Sequence, residues 1–383
     1  MRARKWVWWA MAAVLCGLAL VAGVAARSEP VDRALQIRAP EIVGGVKWIN
    51  SKPLTLVELR GKVVLIDFWE YTCLNCIRTF PYLKQWHEKY ADKGLVIIGV
   101  HTPEFAFAGE TENVEQAVKR FGMKHPVVLD TNYIIWHSYA NRYWPAKFMV
   151  DKDGYVRYFH FGEGAYGATE TQIQALLREA NPEVELPDIG DVLREEDKPG
   201  AVCYPTTRET YAGYQRGGPA GTFGNPNGYQ PGRAVGYRDP GNHEDGRIYL
   251  EGRWRAEREA VISARDRDEP RDYLALKYHA IGVNAVLRPE DDAPSPIRVW
   301  LEQDGKPLRR EDAGEDVQFD DEGRSYMDVA APRMYHIIQN EKFGQHELRL
   351  ATGAAGLGIY AFTFVSCAIP KDVPGLAIPA LPQ

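Results

Sequence analysis

Short apolar runs alternate with helix-like segments through the first half of the chain. Val114, Ala117, Val118 and Phe121 recur at helical spacing, and Gly122 after them is a typical helix stop. An apolar run of about four to eight residues suits a strand that is buried on both faces of a sheet. Three segments have this character: 63–68 (VVLIDF), 95–100 (LVIIGV) and 126–130 (PVVLD). The pattern therefore predicts strands and helices in alternation.

A hairpin and a last helix are predicted after these units. The segments KFMVD and YVRYFHF are joined by the Lys-Asp-Gly sequence at 152–154, which favours a tight turn. Thr169 and Gln172 have the spacing of a capping box ahead of further apolar positions at helical spacing. Together these elements predict a mixed α/β domain over residues 36–181.

The pattern changes in the second half of the chain. Residues 182–202 are rich in acids and prolines and are predicted to be a linker that contributes to neither core. Many short strand-like segments with Gly and Pro turns follow, without a convincing helix, and predict a β-sandwich over 203–370. Residues 371–383 read as a Pro-rich tail. Contacts between the two domains are expected to be modest and polar.

The N-terminus has the layout of an export signal. Arg2, Arg4 and Lys5 precede an uncharged segment, 6–26, that is long enough to cross a bilayer as a helix. Cleavage of this segment and retention of residues 1–28 as a membrane anchor both remain open. The rest of the chain is expected outside the cytoplasm, in the periplasm or its equivalent, where disulfides can persist.

Charge and cysteine content exclude two broad classes. The chain of 383 residues carries 46 Lys and Arg against 52 Asp and Glu, a net charge of −6, which gives no general attraction to nucleic acid. Five cysteines are too few for a disulfide scaffold in a chain of this length. The positions of the cysteines therefore matter more than their number.

The candidate chemistry lies in a C-x-x-C pair at a strand-to-helix junction. Cys73 is expected at the start of a helix, where free N–H groups and the helix dipole favour the reactive thiolate, and Cys76 can reach back to it. A zinc site would need two further ligands at matching spacing, and haem attachment would need His where Ile77 stands. No metal or cofactor is expected. An inert disulfide is the alternative.

The residues around this pair carry a resemblance to a known family. The sequence around the pair resembles the active-site region of thioredoxin-fold proteins, and the segment at 143–148 resembles their cis-proline loop. The extra strand–helix unit that contains HTPEF resembles the TlpA-like branch of this fold. Residues 46–369 resemble two exported regions of DipZ-type cytochrome c biogenesis proteins. These are a thioredoxin region and a jelly-roll-like region that is similar to a carbohydrate-binding module. The segments concerned are FWEYTCLNC (68–76), HTPEF (101–105), YWPAKF (143–148), GEGAYGATE (162–170) and RETYAGYQR (208–216).

The resemblance implies catalytic roles for named residues. Cys73 would attack a disulfide, Cys76 would resolve the mixed disulfide, and Asp67 would be a buried carboxylate that exchanges a proton with Cys76. Pro145 would be cis, so that the backbone of Trp144 could pair with an extended substrate segment.

Three residues next to the pair keep two interpretations each. Trp69 and Tyr71 either shape the substrate rim or belong to the core. Glu70 stands where the family has a small or hydroxylated residue, and either tunes the Cys73 thiol or is a simple exposed acid.

The second domain has its own candidates. Cys203 and Cys367 open and close it, which predicts a structural disulfide between its first and last strands, with two buried free thiols as the alternative. Trp254 and Trp300 lie on predicted strands, where an exposed ring would stack on a sugar. Strand periodicity assigns Trp254 to the core, so the sequence identifies no sugar site. A glycan partner for the second domain nevertheless stays an open option.

The leading functional hypothesis is an exported thiol–disulfide oxidoreductase that acts on a protein thiol or disulfide. The multi-helix electron-transporting membrane domain of the DipZ-type family is not in this sequence, so any electrons that the chain needs would come from a separate protein, for which a membrane donor is one option. One alternative is a thiol peroxidase, although that chemistry favours a single reactive cysteine well ahead of the resolving one. The other alternative is a glycan- or envelope-binding module with a vestigial redox domain. The direction of exchange is left open.

Overall fold

The computed structural model describes residues 28–30, 37–265 and 271–369. The predicted signal or anchor, 1–28, lies outside these residues except for its last position, and the predicted tail, 371–383, lies wholly outside them. Within the described part of the chain, no helix combines the length and apolar character that a membrane crossing requires.

The first domain is built on a seven-stranded mixed sheet. Its strands are β1 (Ser28–Pro30), β2 (Lys47–Ile49), β3 (Val63–Trp69), β4 (Leu95–His101), β5 (Val127–Leu129), β6 (Ala146–Val150) and β7 (Val156–Phe161). Strands β3, β4 and β5 are parallel at the centre of the sheet, and the remaining strands pair antiparallel, giving the order β1-β7-β6-β3-β4-β5-β2.

Four helices cover this sheet: α1 (Leu74–Tyr90), α2 (Thr111–Arg120), α3 (Ile134–Ser138) and α4 (Tyr166–Ala180). Alternate side chains of β3 belong to different cores. Val63 and Leu65 pack with α1, α2 and α4, whereas Val64 and Ile66 pack with α3. Every residue of β3 is buried, which explains why the strand is almost entirely apolar. The predicted α/β fold class is confirmed.

The last helix begins earlier than the capping-box pattern predicted. It starts at Tyr166, after Ala165 in a left-handed conformation (φ 49°). Thr169 lies within the first turn, and its hydroxyl donates to the carbonyl oxygen of Ala165 at 3.0 Å. The threonine therefore satisfies a backbone acceptor inside the helix and does not cap the N-terminus.

The second domain is a predominantly β region, as predicted, with a short helix, α5 (Tyr214–Ala220), that was not predicted. Its strands are β8 (Val202–Cys203), β9 (Thr210–Tyr211), β10 (Ala234–Tyr237), β11 (Ile248–Ala256), β12 (Val261–Ser263), β13 (Asp272–Pro289), β14 (Ile297–Gln303), β15 (Lys306–Pro307), β16 (Gln318–Phe319), β17 (Ser325–Val329), β18 (Arg333–Thr352), β19 (Leu357–Val365) and β20 (Cys367–Ala368). The long strands β13 and β18 pair along most of their length. Eleven strands form one hydrogen-bonded network around a common core, and β8 and β20 form a separate pair.

The acidic segment 182–202 lies against the first domain. Val184 and Leu186 pack on its core, and the backbone N–H of Gly190 donates to the buried carboxylate of Glu170 on α4. The hydroxyl of Tyr82 on α1 also bonds within this segment. The expectation that the segment contributes to neither core is therefore wrong, because its few apolar residues and its backbone have partners on α1 and α4.

Candidate active site

The two cysteines of the C-x-x-C pair meet at the start of α1. Cys73 is the N-cap residue, and its Sγ accepts the backbone N–H of Cys76 at 3.3 Å. The two Sγ atoms are 2.7 Å apart, and both thiols are free. Cys73 is half-buried, whereas Cys76 is fully buried, so Cys73 is the sulfur that an incoming partner can reach.

The surroundings of the two thiols differ in how strongly they oppose ionisation. Burial raises the pKa of the Cys73 thiol, while the hydrogen bonds from Cys76 lower it and the negative charge of Glu104 raises it. Burial raises the pKa of Cys76 well above its usual value, and its hydrogen bond to Cys73 raises it further. Cys73 therefore ionises first, and the Cys76 thiol and N–H stabilise its thiolate.

Three buried ionisable side chains lie next to one another on three neighbouring strands below the dithiol. Asp67 on β3 is directly opposite Lys147 on β6, which is opposite His160 on β7. The Nζ of Lys147 is 3.5 Å from Oδ1 of Asp67, and both side chains are buried. Burial raises the pKa of Asp67 to about 6, although Lys147 lowers it. Asp67 can therefore gain or lose a proton near neutral pH.

The predicted cis-proline loop is present. The Trp144–Pro145 peptide bond is cis. Because Phe68 pairs with Ala146, Pro145 lies at the end of β3 from which the dithiol segment leaves the sheet. Trp144 is half-buried, and its indole N–H donates to the carbonyl oxygen of Thr102 at 3.0 Å. The loop therefore occupies the position that the sequence predicted for it.

Glu70 is buried, so the exposed-acid interpretation is wrong. Its Oε2 accepts the backbone N–H of Thr72 at 2.8 Å and the Thr72 hydroxyl. Its Oε1 has no hydrogen-bond partner and lies 3.9 Å from Nε2 of His101. Burial and the charge of Glu104 raise the pKa of Glu70 to about 8. Burial lowers the pKa of His101 to about 3, so both groups are neutral near pH 7.

Both aromatic residues beside the pair belong to the core. Trp69 is 1% exposed and packs edge-on against Phe80 and His101. Tyr71 is 4% exposed and stacks on His101 with ring centroids 5.6 Å apart. The rim interpretation is therefore wrong for these two side chains, because neither presents a surface to a substrate.

The candidate residues in the second domain have structural roles. Cys203 and Cys367 form the predicted disulfide, directly across the β8–β20 pair. Trp254 is fully buried, as its periodicity predicted. Trp300 is half-buried, and the guanidinium of Arg324 lies 4.6 Å above its ring. Neither tryptophan therefore forms the open platform that a stacked sugar would need.

Some residues of the site carry little or no signal in the sequence. Lys147 had one visible signal, since it is a lysine inside an otherwise apolar strand. Glu104 precedes α2 and bonds to Tyr211 and Arg216 of the second domain, more than a hundred residues away. Sequence spacing carries no signal for such pairs. Among the described residues, no group of three or more His, Cys, Asp or Glu side chains is placed to hold a metal ion.

Comparison with known proteins places this geometry in a family. A Redoxin family model matches residues 46–177, and a model described as a thioredoxin like C-terminal domain matches residues 207–364. Protein DipZ of Mycobacterium bovis is 34% identical over 329 residues, which are 85% of this chain and 42% of that protein. The chain thus spans less than half the length of the DipZ proteins that it matches.

The match to a second relative extends over almost the whole length of that protein. Thiol-disulfide oxidoreductase ResA of Bacillus cereus is 31% identical over 172 residues, which are 44% of this chain and 92% of ResA. The match to ResA agrees with two features of the structure, which are the α/β sheet with its cis-proline loop and the dithiol at the start of α1. The chain therefore belongs to the thioredoxin-fold family of thiol-disulfide oxidoreductases.

Proposed function

We propose that this chain is an exported thiol–disulfide oxidoreductase that exchanges disulfides with an extracytoplasmic protein. The observation that carries the proposal is the free dithiol at the start of α1, with Cys73 accessible and Cys76 buried behind it at 2.7 Å. The helix N-terminus and the hydrogen bonds from Cys76 favour the Cys73 thiolate against the opposing effect of burial, and the short separation favours closure of a ring between the two sulfurs. A glycan-binding module with a vestigial redox domain would not need this arrangement.

The exchange proceeds in two balanced steps. The Cys73 thiolate attacks one sulfur of the partner's disulfide, that S–S bond breaks, and the other partner sulfur leaves as a thiolate that takes up a proton. Cys76 then loses its proton and attacks Sγ of Cys73, which releases the second partner thiol. Two electrons have passed to the partner, and a Cys73–Cys76 disulfide remains. Run in reverse, the same steps oxidise a partner dithiol.

Asp67 is the group that we assign to the proton of Cys76. Its charge acts on the Cys76 thiol, and its own pKa of about 6 allows it to accept a proton and return it near neutral pH. Lys147 provides the positive charge that keeps part of the Asp67 population ionised in a buried site. The carboxyl therefore acts as the proton acceptor for the resolving step.

Substrate binding is assigned to the cis-proline loop. In this conformation the backbone at Trp144 can add to an extended segment of the partner, in the manner of strand addition. The Trp144 side chain, anchored on the Thr102 carbonyl, holds the loop in place. Trp69 and Tyr71 have no part in this contact, since both are buried.

The Cys203–Cys367 disulfide supports an extracytoplasmic location, because structural disulfides persist in oxidising compartments. If the enzyme acts as a reductase, the oxidised Cys73–Cys76 pair needs two electrons for each cycle. A separate membrane protein is the proposed donor. Resident cofactors play no part in these steps, which use cysteine sulfur and protons alone.

Replacement of Cys73 by Ser tests the proposal. Reduction of a small aromatic disulfide by the dithiothreitol-reduced full chain should fall to background, because serine cannot form the attacking thiolate. The double variant Cys203→Ser/Cys367→Ser, which changes two cysteines outside the site, should keep its activity. Retention of more than a few per cent of activity by Cys73→Ser would refute the assignment. Rapid turnover of hydrogen peroxide by the wild-type chain would favour the peroxidase alternative instead.

A further inference from the structure

The loop between β4 and α2 connects the dithiol end of the first domain to the second domain. On the dithiol side, the backbone N–H of Thr102 donates to the carbonyl oxygen of Trp69 at 3.1 Å, and its own carbonyl accepts the indole N–H of Trp144. His101, at the start of the loop, stacks on Tyr71. The loop is therefore part of the wall around the candidate active site.

The second domain holds the far side of this loop through an apolar contact. Phe105 and Phe107 stack with ring centroids 5.6 Å apart, and Tyr360 on β19 meets both rings edge-on at 5.4 and 4.8 Å. All three side chains are buried. The backbone N–H of Ala106 donates to the Glu259 carboxylate at 2.9 Å. This contact fixes the loop and contradicts the expectation of a modest, polar interface.

A polar cluster of both domains surrounds Glu104 on the same loop. Its Oε1 accepts hydrogen bonds from Nη1 of Arg216 at 2.6 Å and from the Tyr211 hydroxyl at 3.0 Å. The Arg216 guanidinium also lies 3.5 Å above the centre of the Tyr211 ring. The Glu104 side chain is only 11% exposed, whereas that of Arg216 is 44% exposed, so solvent partly screens this ion pair.

A second carboxyl group, that of Glu209, lies next to Tyr211 in this cluster. The Tyr211 hydroxyl lies within hydrogen-bond distance of both Glu104 and Glu209, but it can donate to only one of them. Burial and the charge of Glu104 raise the pKa of Glu209 to about 7, while Tyr211, Arg216 and Thr363 lower it. The Glu209 carboxyl can therefore gain or lose a proton near neutral pH beside Glu104.

We propose that Tyr211 and Arg216 of the second domain are positioning residues for the dithiol: they hold the Glu104 carboxylate on the loop that lines the dithiol end of the first domain, and Arg216 balances its charge. The inference rests on the proposed function and adds that the second domain sets the reactivity of the redox site. Burial is the main cause that raises the pKa of Cys73 and of the neighbouring Glu70, and the negative charge of Glu104 raises both further. Arg216 carries the opposite charge and is paired with Glu104, so loss of Arg216 and loss of Glu104 should act on the thiol in opposite directions.

The test is the pH dependence of Cys73 alkylation by iodoacetamide in the reduced full chain, followed by mass spectrometry. Glu104→Gln should lower the apparent pKa of Cys73 by about half a unit, which is roughly a threefold faster reaction below that pKa. Arg216→Gln should raise the apparent pKa by a similar amount and slow the reaction about threefold. The double variant should react at close to the wild-type rate, because the two charges are removed together.

Two further variants separate positioning from general damage. Arg216→Lys keeps the positive charge and should restore most of the wild-type pH profile. Arg258→Gln is the matched control, since Arg258 lines the same interdomain cavity of about 230 Å³ but bonds to Gln215 and should leave the profile unchanged. Tyr211→Phe removes one hydroxyl with little change in volume and should shift the profile in the direction of Arg216→Gln.

The proposal would be overturned if Glu104→Gln and Arg216→Gln shifted the apparent pKa of Cys73 in the same direction. It would also be overturned if neither shift exceeded that of Arg258→Gln. If Arg216→Gln fails to fold, Arg216→Lys and Tyr211→Phe still decide the question. Alkylation reports ionisation of the thiol and requires no turnover. A wild-type chain without exchange activity would therefore refute the proposed function and leave this result standing.

Discussion

At the scale of single residues, Asp67 has the most unusual environment in the site. Both of its oxygens are buried without a hydrogen bond, and the nearest positive charge, on Lys147, is 3.5 Å away. A buried carboxylate in such a place is destabilised relative to its protonated form, because the ion pair recovers only part of the lost hydration. Burial accordingly raises the pKa of Asp67 to about 6, close to the pH at which exchange would occur.

This environment predicts a specific kinetic defect in Asp67→Asn. Resolution of the mixed disulfide by Cys76 should slow on the order of tenfold to a hundredfold, since the proton acceptor is lost, while its formation by Cys73 should change little. In the wild-type chain, resolution should accelerate as the pH rises through about 6, because only ionised Asp67 accepts a proton. The variant should lose this dependence. Stopped-flow fluorescence would separate the two steps.

Asp153→Asn is the control for this experiment, since Asp153 lies in the exposed turn between β6 and β7. Its kinetics should match those of the wild-type chain. Equal slowing of both steps in Asp67→Asn would instead mean that Asp67 supports the structure of the site without transferring the proton of Cys76.

At the scale of elements, buried apolar strands and the C-x-x-C pair were predictable because their signals are local. The run at β3 indicates burial on both faces, and the spacing of Cys73 and Cys76 allows both at one helix terminus. The start of α4 was mispredicted because a glycine-rich entry and a left-handed Ala165 replace the side-chain cap. Trp69 could not be assigned to rim or core, since that depends on Phe80 and His101 from other elements.

At the scale of the whole molecule, the two domains share an apolar core instead of meeting through a few polar contacts. The cluster that contains the buried residues of α1 and α4 also includes second-domain side chains: Ala260, Ile262, Val286, Met334, Tyr360, Ala361 and Val365. The sequence could not predict this interface, because its partners are distant along the chain and each also reads as an ordinary strand residue. Removal of the second domain would therefore expose part of the first domain's core.

We accordingly expect the full chain to unfold in a single thermal transition, since an apolar interface couples the stability of its two parts. Tyr360→Ala should lower the stability by about 3 kcal/mol, through loss of its buried contacts with Phe105 and Phe107, and should split the transition in two. Tyr326→Ala is the matched control, since its described contacts are all within the second domain. Two separate transitions in the wild-type chain, measured by scanning calorimetry, would contradict a shared core.

The most direct test of the central claim is to trap the intermediate of the exchange. In Cys76→Ser the resolving thiol is gone, so Cys73 should remain joined to its partner in a mixed disulfide that mass spectrometry of the non-reduced complex assigns to Cys73. A small disulfide or a scrambled protein substrate can supply the partner sulfur, and Cys73→Ser should trap nothing. A mixed disulfide at Cys203 or Cys367, or none at all with reduced Cys76→Ser, would contradict the assignment of Cys73 as the attacking sulfur.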